Sequence, residues 1–152
     1  MFTGIVTAIG TIESAEQRGD LRVVVGCPFD PEAIDIGASI ACSGVCLTVV
    51  ALGGEVGDAR VTFDVSGETV SRTKQGMWEQ GAKLNLEPAL KLGDELGGHL
   101  VTGHVDSVGQ VVLGEDVGGS RKIAIRISRE LAPFVAPKGS ITIDGVSLTV
   151  ND

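Results

Sequence analysis

Ser39-Ile40-Ala41-Cys42-Ser43-Gly44-Val45-Cys46-Leu47-Thr48-Val49 returns 101 residues later as Ser140-Ile141-Thr142-Ile143-Asp144-Gly145-Val146-Ser147-Leu148-Thr149-Val150, with seven of the eleven pairs identical. A second match runs in the same order. Thr3-Gly4-Ile5-Val6 aligns with Thr102-Gly103-His104-Val105, and Gly10 with Gly109, at an offset of 99. Two ordered matches at nearly one offset mark a duplicated unit of roughly 98 residues. The second copy begins near His99 and matches only Met1 to about Ala51 of the first, with no counterpart of Arg60–Val65, Glu68–Arg72 or Lys83–Glu87. A half-built β-unit leaves strand edges unpaired, so either the second copy is incomplete in this chain or a partner completes it.

Within copy one, Gly4–Ile12, Leu21–Gly26, Ser39–Ala41, Val45–Leu52, Arg60–Val65 and Lys83–Leu86 are short, apolar and bounded by turn residues, which predicts six strands. Val45–Leu52 reads as a buried strand, and Gly53-Gly54 as the turn after it. Asp30-Pro31-Glu32 has the form of an N-cap, a first-position proline and a first-turn acid, opening one or two helical turns. A second helix is expected over Gly67–Lys74, starting near Ser66. Six short strands with little helix predict an all-β fold, a small closed barrel, and the duplication predicts two in tandem. The expected division is 1–97 for the first barrel and 98–152 for the incomplete second, joined around Glu87–Gly97.

Composition agrees. The chain has 152 residues, room for one domain or two small ones. Twelve basic against twenty acidic residues give a net charge of −8, which argues against a nucleic-acid partner. Glycine is abundant at 22 residues, and aromatics make up only 3% with no Tyr, as tight turns between many short strands would require. No apolar run approaches the ~20 residues of a membrane helix. The first basic residue is Arg18, unlike the charged start of a signal peptide. Cys27, Cys42 and Cys46 then read as reduced thiols in a cytoplasmic protein.

Few residues advertise chemistry. His99 and His104 are five apart, on opposite faces of any strand, so they cannot share a metal ion. Cys42 and Cys46 lack two further ligands at zinc spacing. There is no phosphate-binding loop, dinucleotide fingerprint or nucleophile elbow. The informative feature is where the copies differ: Cys46 aligns with Ser147, Ile5 with His104, Phe2 with Val101, Gly37 with Lys138 and Ser43 with Asp144. Two similar sites with unlike polar groups can treat one ligand in two ways. Each residue also has a bland reading: His104 as a structural strand histidine, Cys46 as a small buried hydrophobe, Thr48 and Thr149 as strand formers.

Met1-Phe2-Thr3-Gly4-Ile5-Val6, Gly37-Ala38-Ser39-Ile40-Ala41, Gly44-Val45-Cys46-Leu47-Thr48-Val49, Glu68-Thr69, Asn85-Leu86-Glu87, Gly97-Gly98-His99-Leu100-Val101-Thr102-Gly103-His104-Val105-Asp106, Lys138-Gly139-Ser140 and Asp144–Val150 together resemble the lumazine-binding riboflavin synthase family over the whole chain. The resemblance implies two six-stranded Greek-key barrels. It implies an enzyme that moves a four-carbon unit between two molecules of 6,7-dimethyl-8-ribityllumazine, giving riboflavin and 5-amino-6-(D-ribitylamino)uracil, the last step of riboflavin biosynthesis, with no metal or organic cofactor. It further implies a homotrimer at full length, built with a C-terminal trimerising helix absent from this chain, and association with lumazine synthase. Carried over by position, the implied catalytic residues are Phe2, Ser39, Cys46, His104, Ser147 and Thr149. The implied substrate contacts in barrel one are Gly4, Ile5, Val6, Cys46, Leu47, Thr48, Asp64, Val65, Ser66, Gly67, Glu68 and Thr69. In barrel two they are Gly103, His104, Val105, Lys138, Ser147, Leu148 and Thr149.

These residue types suit such a reaction. The lumazine 7-methyl group is acidic because its carbanion delocalises into the ring, so a mild base suffices. Gly4, Gly103 and Gly145 permit close backbone approach, and Thr48, Ser147 and Thr149 can donate to ligand oxygens. Two rival functions are a lumazine-binding antenna protein of the same family, without turnover, and a flavin-binding module of a reductase. Ser39, Cys46 and His104 favour the enzyme over the first. The second needs a nicotinamide domain for which 152 residues leave no room.

Overall fold

The computed structural model describes residues 1–151. Copy one closes into the expected six-stranded antiparallel barrel. Its strands are β1 (Ala8–Arg18), β2 (Asp20–Cys27), β3 (Ser39–Cys42), β4 (Val45–Glu55), β5 (Asp58–Val65) and β6 (Lys83–Pro88). They run β1-β2-β5-β4-β3-β6 around the wall, so the chain crosses a barrel end between β2 and β3 and again between β5 and β6. Alternation makes the core. Val23 and Val25 from β2, Leu47 and Val49 from β4, and Val61, Phe63 and Val65 from β5 point inward and are buried, with their neighbours outside. The run Val45–Leu52 is thus half-buried rather than fully buried, with Thr48 and Val50 facing out. Bulges between Ile12 and Ser14 and between Val49 and Ala51 supply the bend a small closed barrel needs.

Two boundaries differ from expectation. Gly53-Gly54 is not a turn; β4 continues through it, and the reversal comes at Val56-Gly57, where Gly57 takes φ +82. Gly54 remains obligatory, because a side chain there would strike the Asp58 carbonyl across the hairpin. The first strand starts at Ala8, not Gly4. Met1–Thr7 form an arm outside the barrel, redirected at Gly4 with φ +77. The short helices form where the caps predict. Pro31–Ala33 is one 3-10 turn with the Asp30 side chain accepting from Glu32 N, and α1 (Gly67–Arg72) starts from Ser66, whose hydroxyl accepts from Thr69 N.

Copy two repeats these elements in order: β7 (Gln110–Val117), β8 (Ser120–Arg126), a 3-10 turn at Ala132–Phe134, β9 (Ser140–Ile143) and β10 (Val146–Thr149). Even the first bulge recurs, between Val111 and Leu113. Over the described residues the four strands make two separate ribbons, β7-β8 and β9-β10, rather than a closed wall.

Candidate functional site

The copies meet about a pseudo-two-fold axis, and repeat-equivalent residues pair with one another across it. Phe2 and Val101 exchange both backbone hydrogen bonds, at 2.8 and 3.0 Å. The turns Ser43-Gly44 and Asp144-Gly145 each hold two consecutive positive-φ residues and lie back to back. A Cβ on either glycine would sit 2.8–2.9 Å from the amide nitrogen of the other.

This symmetry exchanges the arms. The Gly103 carbonyl accepts from Cys46 N at 2.8 Å, so the copy-two arm lies against the copy-one hairpin. The Gly4 carbonyl accepts from Ser147 N at 2.8 Å, so the copy-one arm lies against copy two. Both glycines need their missing side chains: a Cβ would lie 2.6 Å from Cys46 Cβ at Gly103 and 2.7 Å from Ser147 Cβ at Gly4, each with φ near +80. Of the expected contacts, Gly4 of the copy-one arm thus lies against copy two, and Gly103 of the copy-two arm against copy one with His104 and Val105 following it. The exposed segments change places.

One groove of about 420 Å³ results, lined by Cys46, Glu68, Thr69, Arg72, Gly103, His104, Val105 and Asp106. It joins the β4 face, the first turn of α1 and the incoming arm. Half-buried Cys46 forms part of the wall, and the exposed His104 stands beside it. Arg72 is bonded to Glu68 at 2.8 Å, and that carboxylate pushes its pKa up, so a cation stays on the rim. Ser39 is the cross-strand partner of Thr48, and Ser140 of Thr149, so each copy carries a hydroxyl pair on its hairpin.

Other expected residues do not reach the groove. Leu47 and Val65 are buried inside the barrel. Asp64 is engaged by Arg22 through two hydrogen bonds of 2.8 Å, and that pairing holds its carboxyl below the usual range. Ser66 and Gly67 cap and start α1. Phe2 is wholly buried at the seam with Ala41 and Val101, against Cys46 and Ala89. Ile5, Lys138, Ser147, Leu148 and Thr149 lie on the copy-two side. Lys138 keeps φ +65 where copy one has Gly37 at φ +89, and each amide closes the same bond, to Val150 and Val49. A lysine in a conformation suited to glycine carries backbone strain.

Three residues were not anticipated. His99 contacts Ser147 and Thr142. Glu87, in β6, is buried and accepts three hydrogen bonds from the copy-one arm: Thr3 N and Oγ1 at 2.6 Å each and Gly4 N at 3.0 Å. Arg72 follows from its spacing to Glu68. No cluster of potential metal ligands occurs among the described residues.

A family model of the lumazine binding domain matches residues 3–89 and 102–152. The chain is 49% identical to a riboflavin synthase of Brucella abortus (strain 2308), over 99% of this chain and 76% of the relative. It is 42% identical to one of Photobacterium phosphoreum, over 99% and 68%. Among solved structures, LumP complexed with riboflavin superposes with a TM-score of 0.83 at 28% identity, covering 100% of this chain and 81% of LumP. LumP complexed with 6,7-dimethyl-8-(1'-D-ribityl) lumazine gives 0.79 at 27% identity, covering 100% and 80%.

Proposed function

The chain belongs to the lumazine-binding domain family, among the riboflavin synthases, and on that premise we propose that it forms riboflavin from two molecules of 6,7-dimethyl-8-ribityllumazine, releasing 5-amino-6-(D-ribitylamino)uracil. The observation that carries this reading is the pair of half-sites related by a pseudo-two-fold axis but furnished differently, Cys46 beside His104 in one and Ser147 bonded to His99 in the other. Transfer between two identical molecules needs that combination: near-symmetry to hold both rings, and asymmetry to make one donor and the other acceptor.

The half-sites comprise residues 1–97 and 98–152 with their arms exchanged. Holding two flat rings at reacting distance can supply several of the ~7–11 kcal/mol that orientation offers. Thr48, Ser39, Thr149 and Ser140 provide hydroxyls for ring oxygens or the ribityl chain. The active complex is a homotrimer in which one subunit's first half-site meets another's second, and it works beside lumazine synthase.

A second reading, binding without turnover, is favoured by the likeness to LumP. One assay separates them. The protein is mixed with the lumazine alone, in chelator, and riboflavin absorbance and fluorescence are followed. Steady production supports the enzyme; saturable lumazine binding without riboflavin supports the binder.

A further inference from the structure

Both ring nitrogens of His99 are engaged. Nδ1 lies 2.7 Å from Ser147 Oγ, and Nε2 lies 3.1 Å from Thr142 Oγ1. With its proton on Nε2, the ring accepts from the Ser147 hydroxyl and donates to the Thr142 oxygen. Ser147 and Thr142 face each other across β9 and β10, so the sheet sets their spacing. The backbone brings the imidazole to them. His99 N donates to the Thr3 carbonyl at 3.0 Å, and Gly98 before it has no room for a side chain: a Cβ would strike the Thr3 carbonyl and sit 2.9 Å from Ser147 Cβ. All three side chains are half-buried, shielded yet reachable.

Copy one builds the same hairpin without this network. Cys46 stands at the position of Ser147 and Ala41 at that of Thr142, facing each other in the same register. Neither carries a hydroxyl that could hold an imidazole, and His99 falls one place ahead of the residue matched with Met1. The shared fold therefore does not require the Ser–His–Thr chain.

We propose that His99 is the proton acceptor behind Ser147, and that the copy-two half-site is where the lumazine is deprotonated. This rests on the reaction proposed above. The 7-methyl C–H bond breaks and its proton passes to Ser147 Oγ, while the Ser147 hydroxyl proton passes to His99 Nδ1. The products are the ring-stabilised carbanion and an imidazolium still bonded through Nε2–H to Thr142. Nothing is oxidised or reduced, and the proton returns by the same path when charge collapses later. Ser147 is the catalytic residue; His99 acts through it, and Thr142 holds the ring.

The test uses the full-length protein and four variants: His99→Gln, His99→Ala, Ser147→Ala and the double His99→Gln/Ser147→Ala. Riboflavin formation gives kcat and KM, and NMR in D2O gives the rate at which the bound lumazine loses its 7-methyl proton signal. His99→Gln and Ser147→Ala should each lower kcat at least ~10²-fold, with KM within about threefold and methyl exchange slowed in parallel. The double variant should be no worse than the worse single one, as for groups acting as a unit. Added imidazole should restore part of the rate of His99→Ala, which a merely structural histidine would not allow. A kcat for His99→Gln within a few-fold of wild type, multiplying losses in the double variant, or unslowed methyl exchange overturns the inference. If His99→Gln does not fold, Ser147→Ala decides alone, since copy one tolerates a non-hydroxyl residue there. Wild-type protein that binds lumazine but makes no riboflavin overturns the functional reading and this inference with it. Riboflavin from wild type with indifferent His99 variants overturns only this inference.

Discussion

Replacing Glu87 with Gln should loosen the copy-one arm by an amount the geometry allows to be sized. Glu87 is the only charged side chain buried among the described residues, and both its oxygens are committed to the arm. Thr3 and Gly4 are themselves buried, so no water replaces a lost partner. Glutamine keeps the shape but turns one acceptor into an amide donor, facing an N–H that then has nothing to bond. An unsatisfied buried donor costs about 1–3 kcal/mol; taking about 2 kcal/mol, a chain of this size should melt about 4–8 °C lower. Thr3→Val, which removes only the hydroxyl, should give the smaller part of that drop. Thermal unfolding at neutral pH checks both. The arm also carries the Thr3 carbonyl that holds His99 and the Gly4 carbonyl that holds Ser147. Lumazine affinity and turnover should therefore fall with Glu87→Gln even at temperatures where the variant is fully folded. A melting point within about 1 °C of wild type would refute the reasoning, because a 2 kcal/mol loss cannot hide in so small a shift. The backbone bonds of the arm, Phe2 with Val101, Thr3 with His99 and Gly4 with Ser147, would then suffice to hold it.

Two further outcomes follow from the same structure. Thiol reagents should label Cys46 in the native protein and reach Cys27 and Cys42 only on unfolding, since burial hides those two and pushes their thiol pKa values up; bound lumazine should protect Cys46, and mass spectrometry of labelled peptides reads both. Because the Arg22 hydrogen bond and charge hold the Asp64 carboxyl below its ordinary value, the pair stabilises above about pH 4 and its contribution fades as acid protonates Asp64; Arg22→Gln should narrow the fall in melting temperature between pH 5 and pH 3, only slightly because the pair is exposed, and an unchanged acid profile would count against the pairing.

The barrel was legible because strand patterning is local. Inward Val23 and Val25 alternate with outward Arg22 and Val24, and the same period recurs in each wall strand. The caps were legible for the same reason, Asp30 and Ser66 being followed at once by the amides they accept from. Gly53-Gly54 misled because glycine pairs signal turns, whereas here one glycine is needed for close approach inside a strand. Gly4–Thr7 misled because its apolar residues continue the pattern of β1, while the φ of Gly4 sends the segment elsewhere. The paired differences Cys46/Ser147 and Gly37/Lys138 stand out in the sequence because a duplicated fold has no structural need for them. The partners of Glu87, His99 and Thr142 were not legible for the converse reason: each bonds a residue distant in sequence, and no spacing encodes that.

The exchange of arms matters most for how the site is built. A repeat in sequence invites the inference that each copy holds its own ligand, yet the wall facing Cys46 is made by Gly103 and His104 and the wall facing Ser147 by Gly4. Barrel one alone, cut after Pro88, keeps its hydrophobic core but loses the carbonyl that fixes Cys46 N and the histidine beside it. The smallest stretch that contains the whole copy-one groove thus runs from Val45 to Asp106. Exchange also couples the two half-sites mechanically. Thr3 and Gly4 bond Glu87 of barrel one with their donors, and His99 and Ser147 of copy two with their acceptors. A displacement of β6 is then felt at Ser147 through two residues of backbone, so the two halves of this chain cannot shift independently.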